Sequence, residues 1–132
     1  MPDEGFVTAA SPHSVTDTVH RLEGAINASG LRVFARIDHE RNAQEVHIAL
    51  RPTYLLIFGH PKGGTPLMLD NQVVGIDLPF KALVWEDEKG KTWITYNDPA
   101  WLAERHKLGS ASLAVIQAIQ AGMQRLLAIT VT

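Results

Sequence analysis

A chain of 132 residues, 45% hydrophobic and 20% charged, is sized for one domain with one core and is too apolar to stay disordered. Its formal charge of −2 leaves no electrostatic footprint for nucleic acid or an anionic membrane surface. With no cysteine, disulfides, thiolate metal sites, iron–sulfur clusters and cysteine nucleophiles are excluded.

The N-terminus, Met1-Pro2-Asp3-Glu4-Gly5, is acidic and is followed by no long apolar run, so it does not read as a secretory signal. No stretch approaches the ~20 apolar residues of a membrane span, and the cytoplasm is the expected location. Residues 6–10 read as a short strand. Ser14 is a helix N-cap, with Asp17 three residues on as the weaker partner of a capping box. Val15, Val19, Leu22 and Ile26 then share one helical face, and Gly30 stops the helix. Residues 31–37 alternate, with Leu31, Val33, Ala35 and Ile37 on one face and Arg32, Phe34 and Arg36 on the other. Asp38 caps a second helix, in which Ala43, Val46 and Leu50 recur at helical spacing.

The uninterrupted run Tyr54-Leu55-Leu56-Ile57-Phe58 predicts a central strand covered on both faces. Thr65 followed by Pro66 pairs an N-cap hydroxyl with proline at the first helical position and opens a short helix through Leu69. Residues 81–97 form a β-hairpin around Asp87-Glu88-Lys89-Gly90-Lys91. Asp98-Pro99 repeats the cap-and-proline signature and starts a helix that ends near His106. After Gly109 a long helix, about 110–128, carries Leu113, Ile116, Ile119, Met123, Leu126 and Leu127. Only Gln117, Gln120 and Gln124 keep its other face polar, so it is expected to pack on the sheet and on a second subunit. Helices interleaved with strands and at least one hairpin make the class α+β, in a single domain over residues 1–132.

Several strands end in polar, sharply turning segments. Buried strands fix backbone position, so polar groups just beyond them are expected to converge on one pocket made by Asp38, His39, His60, Lys62, Gly63, Gly64, Thr65 and Asp98. Lys62 would supply charge, Thr65 and the backbone of Gly63 and Gly64 would donate, and Asp38 and His39 would orient a ligand. Gly59, Gly64 and Thr65 imitate a phosphate-binding loop but lack the Lys between glycine and threonine. That leaves an anion nest or a plain tight turn. Asp38, His39, His60 and His106 are oxygen and imidazole donors without the paired spacing of a metal motif, and each also has an ordinary structural role. Asp38, His39, His60, Tyr96 and Asp98 offer acid–base pairs, unaccompanied by a nucleophile elbow or a paired-carboxylate motif. Arg32, Phe34 and Arg36 on one strand face suit a planar anion or a partner protein.

Phe34-Ala35-Arg36-Ile37-Asp38-His39, Leu50-Arg51-Pro52-Thr53 with the run from Phe58 to Met68, Asp77-Leu78-Pro79 and Tyr96-Asn97-Asp98-Pro99 together resemble the bacterial family called domain of unknown function 302. The resemblance is close over residues 14–106 and loose in the C-terminal helix, and His60 stands where that family usually has Asn. It implies an α+β fold similar to the TATA-box-binding-protein-like class, a curved antiparallel sheet packed against helices and often dimeric. It implies no established activity, and fold alone brings no DNA binding. The expectation is a homodimeric cytoplasmic module that binds a small anionic or peptide-like ligand without a cofactor, nucleic acid or membrane. The alternatives are a hydrolase or metal-dependent enzyme on the same loops, and a structural or regulatory dimer with no small-molecule site.

Overall fold

The computed structural model describes residues 5–132. The N-terminal stretch read as no secretory signal lies, apart from Gly5, outside the described residues. Five strands, β1 (Phe6–Ser11), β2 (Arg32–Asp38), β3 (Thr53–Gly59), β4 (Phe80–Glu86) and β5 (Thr92–Asn97), form one antiparallel sheet in the order β1-β5-β4-β3-β2. Strands β2 to β5 meander, and β1 closes the far edge by pairing with β5. Helices α1 (Val15–Ala28) and α5 (Leu113–Thr130) pack against each other on one face of the sheet. Leu22 and Ile26 of α1, Leu56, Phe58, Val84 and Ile94 of the sheet, and Met123 and Leu126 of α5 form the core. The class is therefore α+β with a long C-terminal helix.

Local signals account for the caps. The Ser14 side chain accepts from the Asp17 N–H, and Gly30 turns the chain at φ +77°. Asp17 does not reach back as a capping-box partner; its carboxylate takes Arg21 and His13 instead.

The structure corrects several expectations. Strand β3 is interior but covered on one face only: Leu56 and Phe58 are buried, whereas Leu55 and Ile57 are half-buried. An antiparallel meander needs no crossover helices, so α1 and α5 gather on a single face. Strand β2 carries an irregularity between Val33 and Ala35 that inserts Phe34. The insertion moves the later residues to the opposite face, so Arg36 stands opposite core residue Leu56 and meets Glu23 of α1. Arg36 thus leaves Arg32 and Phe34, which stack alone with the guanidinium 4.7 Å from the ring centroid.

Helix α2 (His39–Glu45) is shorter than its spacing predicts, because His47 adopts φ +61°. Val46, Ile48 and Leu50 end up exposed, at 63%, 61% and 44%. Helix α3 (Pro61–Asp70) starts at Pro61, not after Thr65, and Pro66 lies inside it. Helix α4 (Pro99–Arg105) follows its Asp98 cap as expected. The segment Ser110–Thr130 is long and apolar enough by length and composition to cross a membrane, which corrects the expectation of no such stretch. One side of it fills the core, while Leu113 and Ile129 on the other are more than half exposed.

Candidate functional site

Strand β3 ends at Gly59 and delivers the chain into α3, while β4 begins beside it at Phe80, the register partner of Phe58. Between this end of the sheet, α3 and α5 lies a cleft of about 780 Å³. Buried Phe58, Phe80, Met123 and Leu126 form its floor, and Phe34, Met68, Leu78 and Ile119 continue the apolar wall. Its polar residues are few: Ser29, His60, Lys62, Thr65 and Arg125. No aspartate or glutamate lines it among the described residues. Lys62 and Arg125, both exposed, make no ion pair among those residues.

Five of the eight expected site residues, His60, Lys62, Gly63, Gly64 and Thr65, line this cleft. Their roles differ from the expectation. His60 is the N-cap of α3, and its Nδ1 accepts from the Lys62 N–H at 3.0 Å. The Gly63 and Gly64 N–H groups donate to the His60 carbonyl at 2.9 and 3.4 Å. These donors are satisfied inside the helix start, so the anion nest does not form. Thr65 is a mid-helix residue, not a cap. Gly63 and Gly64 instead let α3 lie close to its neighbours: a Cβ there would stand 3.9 Å from Ile119 and 3.5 Å from Leu78.

Asp38, His39 and Asp98 do not join them. Strands β2 and β3 run antiparallel, with Arg32 opposite Gly59 and Asp38 opposite Tyr54. Asp38 is therefore roughly 20 Å along the sheet from Gly59. It caps α2, accepting from the Arg41 N–H at 3.0 Å, and His39 is the first residue of that helix. Asp38 lines a separate groove of about 580 Å³ with Glu23, Arg36 and Tyr54. There the Arg36 hydrogen bonds hold the Glu23 carboxyl below its ordinary value against the opposing effect of burial. Asp98 lies at the same end of the sheet as Gly59, since β3 and β5 both run antiparallel to β4. Its carboxylate, however, is taken by the Ala100 N–H at 3.0 Å and the Gln120 amide at 3.1 Å, tying α4 to α5. Tyr96 is buried beneath; burial first, then the Asp98 charge, pushes its phenol up.

His106 is also elsewhere. It is buried, with Nε2 2.5 Å from Asp77, whose carboxylate also takes Arg105 at 3.1 Å. Among the described residues no three His, Asp or Glu side chains gather in a way that could hold a metal ion.

Arg125 and the small residues Ala114, Ala118 and Gly122 also line the cleft, and the sequence reading passed over them. A signal was present: small residues recur every fourth position along one stripe of α5 and lead to an arginine.

The family model described as "Domain of unknown function DUF302" matches residues 7–127. A crystal structure of an uncharacterized conserved DUF302 protein from Bacillus stearothermophilus superposes with a TM-score of 0.86 at 20% identity, covering 98% of this chain and 100% of that one. "Fluoride-specific ion channel FluC 1" from Brucella suis biovar 1 (strain 1330) is 49% identical over 120 residues, 91% of this chain and 47% of that protein. The "Fluoride-specific ion channel FluC 1" of Brucella abortus biovar 1 (strain 9-941) has the same identity over 44% of its length. The chain thus spans under half of these curated relatives.

Proposed function

The chain belongs to the DUF302 family, and from that premise we propose that it is a binding module whose cleft between α3, α5 and the end of the sheet takes a small anionic ligand. The observation that carries this reading is the cleft's charge pattern: Lys62 and Arg125 at an apolar cavity that, among the described residues, no carboxylate lines. A cavity of about 780 Å³ with few polar groups has the size and character of small-molecule sites. The scarcity of polar groups favours an anion over a peptide-like ligand, whose amides would each need a partner. His60 organises the helix start, and Lys62 supplies the charge. Asp38 and Asp98, held as caps, and His39, the first residue of α2, take no part.

A homodimer in the cytoplasm completes the proposal. It is supported by exposed Leu113 and Ile129 on α5 and by half-buried Leu83, Trp85 and Trp93 on the sheet face away from the helices. The one-faced antiparallel sheet also supports placing the fold in the TATA-box-binding-protein-like class, a likeness of shape that brings no DNA binding with it. The names of the Brucella relatives favour a second reading, in which such a module serves a membrane channel and meets fluoride there.

Two parallel titrations test both readings. The anionic dye 8-anilinonaphthalene-1-sulfonate should bind the purified protein, and Lys62→Ala should weaken it on the order of tenfold while leaving the thermal midpoint unmoved, since the side chain is exposed. Undiminished binding to Lys62→Ala rejects the role of Lys62. Fluoride binding in a parallel ¹⁹F titration, with no dye binding, would replace the first reading by the second.

A further inference from the structure

Resting on that anion-binding reading, we propose that the ligand is an amphiphile: an unbranched hydrocarbon chain ending in a single carboxylate, a fatty-acid-like molecule. The head sits at Lys62 and Arg125 and the chain lies along α5. Four observations carry it. The floor is built of Phe58, Phe80, Met123 and Leu126, all buried and none carrying a hydrogen-bonding group stronger than the weakly accepting Met123 sulfur. Burying a chain over that floor strands no polar group of the floor, whereas a polar ligand body would find few partners there. The two methionines, Met68 and Met123, give a wall that adapts its shape to a flexible guest.

The stripe Ala114, Ala118 and Gly122 supplies the length. Small side chains every fourth residue leave a track parallel to the α5 axis, and a Cβ at Gly122 would meet only the Arg125 guanidinium, at 3.8 Å. The track therefore runs toward a cation. The charge pattern selects among amphiphiles: two cations and, among the described residues, no lining carboxylate oppose a cationic head and favour an anionic head over a neutral one.

Sodium butanoate, octanoate and dodecanoate, kept below their micellar concentrations, are titrated against the whole protein by calorimetry, with dodecanol and dodecyltrimethylammonium as neutral and cationic controls. Affinity should rise by roughly fourfold per added CH₂ until the track is full. Dodecyltrimethylammonium should bind at least tenfold more weakly than dodecanoate. Ala118→Phe, a change at an exposed position, should abolish the gain from chain length without moving the thermal midpoint. Equal affinity for butanoate and dodecanoate overturns the amphiphile but spares the anion-binding reading, provided Lys62→Ala still weakens butanoate. Equal binding of the carboxylate and the trimethylammonium compound overturns both. So does a protein that binds no amphiphile and sediments as a dimer with Ala118→Phe alone monomeric, since a second copy then fills the cleft.

Discussion

At the scale of single residues, the features legible in the sequence are those whose partner lies within a few positions. Ser14, Asp38 and Asp98 were expected as caps, and each accepts a backbone N–H two or three residues on. Thr65 carried the same signal and failed, because His60 caps the helix five residues earlier and Pro61 takes the first position. A histidine at an N-cap is an unusual choice, and only the ring nitrogen geometry reveals it. Distant partners left no trace in the sequence. Gly5 adopts φ +80° and lies on Trp101, so that a Cβ there would stand 2.3 Å from the ring, and its carbonyl accepts the Asp98 N–H at 2.7 Å. Gly5→Ala should therefore cost roughly 2 kcal/mol or more, from the left-handed backbone and the displaced indole together. Urea unfolding followed by tryptophan fluorescence measures it, and an unchanged midpoint would show that the ring moves freely.

At the scale of elements, α3 is the instructive case. Pro61-Lys62-Gly63-Gly64-Thr65-Pro66 holds two glycines and an internal proline, so propensity argues against any helix there. Packing overrides it: Leu67 is buried, in a cluster with Val74 and Ile116. The glycines are kept at a cost in backbone entropy, and that cost can be recovered. Gly63→Ala should stabilise the protein by about 0.5–1 kcal/mol, because φ is ordinary and the new methyl meets Ile119 at 3.9 Å, a normal contact. A lowered urea midpoint would mean that the α3–α5 spacing tolerates no side chain. The irregularity in β2 was equally invisible to alternation, since inserting Phe34 changes the face of every later residue without changing the pattern of residue types. The 81–97 hairpin, by contrast, was legible in full. Its loop residue Asp87 accepts the Lys89 and Lys91 N–H groups and the Trp93 indole, all within seven positions.

At the scale of the whole molecule, the α+β class could be read from spacing, but the site could not. Gathering residues 38, 62 and 98 requires knowing which strand ends share an edge of the sheet, and antiparallel pairing sends the end of β2 away from the end of β3. The same whole-molecule view governs acid stability. Glu23, Asp70 and Asp87 are all held below their ordinary values of 4.5, 3.8 and 3.8, by Arg36, by Ser112 with Gly109, and by Trp93 with the loop backbone. A depressed folded-state value means the folded protein releases its proton more readily than the unfolded chain. The stabilisation is then present above the ordinary values and lost as pH falls through the depressed ones. The urea midpoint should decline steadily from pH 4.5 downward, and Asp70→Asn with Asp87→Asn should flatten that decline. A midpoint indifferent to acid would remove these three contacts from the stability of the fold. Tyr96, shifted upward, acts at the other extreme: its contribution holds below pH 10 and is lost as pH rises past its folded value.

The pairing of β1 with β5 sets an order of events during synthesis. Phe6 finds its partner in Asn97, so of these five strands the first to leave the ribosome is the last to be seated in the sheet. At about 5–20 residues per second it waits roughly five to twenty seconds with its hydrogen-bonding groups unmatched. During that interval β2, β3, β4 and β5 can zip together neighbour by neighbour, and β1 is the strand among the five left for a chaperone to hold.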